Sequence, residues 1–138
     1  MRSGRLPFAL NMMKRFLTLT VIIEAATGFG LIVIPSVVVR LLLGSPLDTP
    51  AAVTLGRVAG AALLALGVAC WLAQYDAQSR TARGLVVAML MYNIVATAVL
   101  AFAGIGLGLH GVALWPAVVL HAAMGAWCVA CLRRSPSM

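Results

Sequence analysis

"GLVVAMLMYNIVATAVLAFAGIGLGLHGVALWPAVVLHAAMGAWCVACL", residues 84–132, contains no Asp, Glu, Lys or Arg. As a single helix it would run about 73 Å at 1.5 Å per residue, against a hydrocarbon core about 30 Å thick. It therefore has to turn back on itself. The turn falls at Gly104 to Gly111, where four glycines in eight residues disfavour helix continuation. Two membrane-crossing helices result, at about 84–104 and 112–132.

The preceding chain supplies two more. "AVTLGRVAGAALLALGVACWLAQ" predicts a helix over about 52–74, introduced by the turn "GSPLDTP". A first helix starts near Phe16 and runs to about residue 43, with Pro35 ending or kinking it because proline removes a backbone donor and clashes with the preceding turn. The segment 36–43 either continues the span or lies along the outer interface. A cleaved signal peptide is the rival for this first segment, but Glu24 and the apolar continuation to Val39 count against it.

Composition agrees. The chain of 138 residues is 63% hydrophobic and 9% charged, with a mean hydropathy of +1.07; a soluble domain carries roughly a quarter charged residues. The net charge of +7 does not indicate nucleic acid, because eight of the ten basic residues lie in the N-terminus, the 80–83 loop and the C-terminus. Basic residues at the ends of apolar runs follow the positive-inside bias. The expected fold is all-α: a four-helix transmembrane bundle in one integral membrane domain, with N- and C-termini cytoplasmic in the bacterial inner membrane. The expected partners are the lipid bilayer and a homodimer or larger membrane complex, with no nucleic acid.

Ionisable groups inside a membrane usually face the bundle interior and mark functional sites. Counting from the turns puts Glu24 about 16 Å deep, Asn93 about 16 Å and His121 about 13 Å, all near mid-membrane on different helices. Arg57 begins about 8 Å down its helix and reaches inward. These four, with Tyr92 or Thr97 nearby, form the candidate ligand or proton site.

Two readings of that cluster stand side by side. In the first it is a structural clamp, with Arg57 neutralising Glu24 and Asn93 and His121 completing the hydrogen bonds. In the second it is a protonatable site that binds a ligand or relays protons. The clamp comes first because pairing with Arg57 would hold Glu24 ionised. The leading functional expectation is accordingly a non-enzymatic accessory or interaction subunit. The alternative is a proton-coupled transporter or lipophilic small-molecule binder using Glu24.

Cys70, Cys128 and Cys131 are the remaining candidates, for redox chemistry. The C-x-x-C of "WCVACLRR" falls at a helix C-terminus, where the dipole disfavours thiolate, and on a reducing side of the membrane. Small apolar packing is the simpler reading. No metal site and no cofactor are expected: the two histidines, His110 and His121, are about 16 Å apart along one helix and cannot both ligate one haem within one chain, which leaves only a unit built across a dimer. Gly56 and Gly60 form a GxxxG, and Ala117, His121 and Gly125 repeat at helical spacing. Either set serves packing inside the bundle or a dimer seam.

"EAATGFGLIVIPSVVVRLLLG", "GRVAGAALLALGVACWLA" and "LWPAVVLHAAMGAWC" resemble a family of small, uncharacterised bacterial four-helix inner-membrane proteins. More loosely they are similar to DoxX-like proteins. That likeness implies the topology and no mechanism. The chain also resembles the small multidrug resistance transporters, four-span proteins with a membrane glutamate in helix 1, a place Glu24 matches. That resemblance implies a dimer whose carboxylate exchanges protons for cationic drugs. The chain departs from it by carrying Arg57 in the membrane and by offering Tyr92 where helix 3 would hold a tryptophan.

Overall fold

The computed structural model describes residues 5–134, and all the regular structure in them is helical. The elements are α1 (Arg5–Val33), α2 (Pro35–Leu43), α3 (Pro50–Ala73), α4 (Arg80–Ile105) and α5 (Leu114–Arg134), with a single 3-10 turn at Gln74–Asp76. Four of these helices, all but α2, are long and apolar enough to cross a membrane. α1 begins at Arg5 rather than near Phe16, so the basic N-terminal segment extends the helix.

Pro35 does more than kink the chain. It stands at the start of α2, where a missing N–H costs nothing and its fixed φ suits the first turn. Gly44 ends α2 in the left-handed region at φ 80° and donates its N–H to the Arg40 carbonyl at 2.8 Å. Thr49 and Ser79 cap α3 and α4, their hydroxyl oxygens accepting from the N–H groups of Ala52 and Ala82.

The long helices are arranged as two antiparallel pairs, α1 with α3 and α4 with α5. In the first pair the backbones touch. A Cβ at Gly28 would lie 2.7 Å from the Gly60 carbonyl oxygen, and one at Gly60 would lie 2.6 Å from that of Gly28. Gly56 meets Leu47 and Pro35 within the same chain. The GxxxG of α3 thus packs inside the bundle. In the second pair Gly104 sits against Leu114 and Trp115.

Contacts between the two pairs are fewer than within them. At the end that holds both termini, Phe16, Leu17, Cys70, Val86, Met89 and Cys128 form a fully buried core. Phe16 meets Trp127 edge-on at 6.0 Å, and Arg134 lies 5.4 Å over the ring of Phe8. At the other end α2 holds the pairs together: the Ala113 N–H donates to the Leu41 carbonyl at 2.9 Å, and Gly111 packs so close to Leu42 that any side chain would overlap its carbonyl. Large apolar side chains such as Phe29, Leu55, Ile105 and Val119 face outward, as a bilayer requires.

Candidate functional site

Three helices meet where the two pairs face each other. α1 contributes Thr20, Ile23 and Glu24, α4 contributes Met89 and Asn93, and α5 contributes Leu120, His121 and Met124. Together they line a cavity of about 10 Å³, room for one water-sized molecule.

Glu24 is 3% exposed. On the α3 side Gly67 lies beside it, where a Cβ would stand 3.6 Å from that of Glu24, an ordinary packing distance. Among the described residues its carboxyl group makes no hydrogen bond and no ion pair. Asn93, 2% exposed, is fully engaged: its Nδ2 donates to the Met89 carbonyl at 2.8 Å, and its Oδ1 pairs with His121 Nδ1 at 2.9 Å. His121 is also met edge-on by the Tyr92 ring at 5.5 Å.

No fully enclosed side-chain nitrogen or oxygen among the described residues lacks a partner. The Glu24 carboxyl and His121 Nε2 make no hydrogen bond, so each opens on space that a water molecule reaches. Thr20, which lines the cavity, donates its hydroxyl to the Phe16 carbonyl at 3.0 Å. Thr97 bonds the Asn93 carbonyl at 2.7 Å and is not part of the cavity wall.

Arg57 requires a correction. The expected pair with Glu24 is not formed: Arg57 lies on an exposed face of α3, and α3 passes Glu24 at Gly67, ten positions further on. That separation is about 15 Å along the helix. The clamp centred on Glu24 and Arg57 is therefore absent, although Asn93 does tie α4 to α5 through His121.

The thiols belong to a different layer. Cys70, Cys128 and Cys131 are 0–1% exposed and sit in the apolar core at the terminal end of the bundle. Cys128 and Cys131 occupy the last two turns of α5. No group of three or more His, Cys, Asp or Glu side chains among the described residues could hold a metal ion. His110 is exposed in the α4–α5 connection, away from His121.

Ile23 and Leu120 line the cavity without being sequence candidates, and so do Thr20, Met89 and Met124. A signal for the last three exists: they stand four, four and three residues from Glu24, Asn93 and His121, the spacing that places side chains on one helix face. Comparison with family models, with curated proteins and with solved structures finds no match to this chain.

Proposed function

We propose that the chain is a multi-pass protein of the bacterial inner membrane, with both termini cytoplasmic, that couples proton binding at Glu24 to the binding or passage of a small lipophilic solute. One observation carries this reading: a carboxyl group buried near the middle of a helix long and apolar enough to cross a membrane, with no basic partner, lines a cavity at the junction of three helices. Intramembrane carboxyls are costly, and one kept for structure would be paired. The rest of the wall suits an apolar guest. Ile23, Met89, Leu120 and Met124 surround the polar groups, and methionine repacks readily around guests of different shape. Leu120 is 38% exposed, so the cavity borders the lipid-facing surface. A solute larger than water enters as the two helix pairs part along their shared interface, where contacts are fewer than within each pair.

The test is chemical. A hydrophobic carbodiimide reacts with a protonated carboxyl group in apolar surroundings. Mass spectrometry of the treated protein in bilayers is expected to find one adduct, at Glu24, with labelling that falls as pH rises and is lost in Glu24→Gln. Proteoliposomes should then show a proton flux that Glu24→Gln abolishes. A Glu24 that stays unlabelled across the pH range would end this reading.

A further inference from the structure

Asn93 fixes more than the position of His121. Its amide nitrogen is committed to the Met89 carbonyl, an acceptor, which turns Oδ1 toward His121 Nδ1. Oδ1 carries no proton, so Nδ1 must donate. A neutral imidazole in that tautomer presents a lone pair at Nε2. Nε2 and the Glu24 carboxyl are both open to a water-sized molecule, and both residues line the same cavity of about 10 Å³. A buried water is held well by two or more polar partners. Glu24 and His121 supply two, a carboxyl and an imidazole lone pair.

We infer that Glu24 and His121 form one proton-sharing pair joined by a single water molecule, with Asn93 as the positioning residue that sets the tautomer. The inference rests on the proton-coupled reading of Glu24 and adds the group that receives the proton. The carboxyl O–H bond breaks and its proton passes to the water, which releases a proton to Nε2. Glu24 becomes a carboxylate and His121 an imidazolium; one proton has moved and the total charge is unchanged. The other titratable groups near Glu24 are Cys70 from α3 and Tyr92 from α4. A thiol and a phenol ordinarily titrate well above neutrality, whereas an imidazole exchanges protons close to it. Among the described residues no basic side chain makes an ion pair with Glu24.

The experiment is nitrogen-15 NMR of the full chain in lipid nanodiscs, labelled at histidine, with His110→Gln used to assign the two imidazoles. Above neutral pH, His121 is expected to carry its proton on Nδ1 alone. Glu24→Gln should change the proton affinity of His121 by at least about tenfold, as loss of an opposite charge within about 4–6 Å does; Cys70→Ala should leave it within about twofold. A proton on Nε2 in the neutral parent, or an unaltered titration in Glu24→Gln, overturns the pair. Should Glu24→Gln not fold, a cross-peak between the His121 ring and a long-lived water in the parent decides: its presence supports the bridge and its absence removes it. This readout needs neither gradient nor solute. Proton flux lost in Glu24→Gln but kept in His121→Gln, with no NMR coupling, ends the pair and leaves the role of Glu24 standing. A coupled pair without flux does the reverse.

Discussion

Arg57 and Glu24 illustrate how two charges in one membrane protein can be near neighbours in depth by residue counting and still never meet. Glu24 rests against Gly67, while Arg57 stands about 15 Å further along α3 on an exposed face. A double-mutant cycle of Glu24→Gln and Arg57→Gln, read by unfolding in mild detergent, is therefore expected to give a coupling below about 0.5 kcal/mol, the range found for independent sites. A buried pair broken on one side costs about 3–5 kcal/mol, so a coupling of that size would mean that the two side chains do pair. Counting from turns places a side chain along the membrane normal, which is how Glu24, Asn93 and His121 are legible as groups of similar depth. It leaves open the direction in which each side chain points and the offset between neighbouring helices. Arg57 fails on both, because α3 starts further out than α1 ends.

Among the helices, glycine sets the spacing. The Gly28–Gly60 contact brings two backbones together, and a methyl group at Gly60 would stand 2.9 Å from Leu31 Cβ as well as 2.6 Å from the Gly28 oxygen. Gly60→Ala should force the pair apart and destabilise the protein by about 1–3 kcal/mol, the usual cost of overpacking. Gly84→Ala is the matched control. Nothing lies within 4 Å of a Cβ there, and alanine is the better helix former by about 1 kcal/mol. Thermal unfolding in one detergent should move in opposite directions for the two variants; a Gly60→Ala protein as stable as its parent would show that the helices do not touch there. The GxxxG motif is visible in the sequence, but whether it faces a neighbour in the same chain or a second copy depends on the rotation of α3. That rotation is set by all its contacts together. Pro35 is similarly half legible: a break is certain from its chemistry, whereas a new helix beginning at it depends on the docking of α2 across the α4–α5 connection.

For the molecule as a whole, the four long helices follow from the uncharged run with its glycine turn, which gives two, and from the two apolar segments before it, since a helix satisfies its backbone groups in lipid from within one segment. The packing in pairs is not written there, because all four helices are nearly uniformly apolar around their circumference and lack a stripe that names its partner. The native cysteines, 0–1% exposed, give a quiet background for testing the proposed orientation. With a membrane-impermeant maleimide on intact cells, a cysteine introduced at the exposed Val112 is expected to label and one at Gln78 to stay unlabelled until the membrane is opened. The opposite pattern would invert the protein in the membrane.

The pairing of α1 with α3 and of α4 with α5 has a consequence for biogenesis. During synthesis the α1–α3 hairpin can leave the translocon and close its Gly28–Gly60 contact while the ribosome is still translating the second half. Glu24 then waits in the bilayer, because Asn93 arrives with the third crossing and His121 only with the fourth. The cavity between the pairs is thus the last part of the protein to be assembled, and a chain arrested before α5 would carry Glu24 without His121.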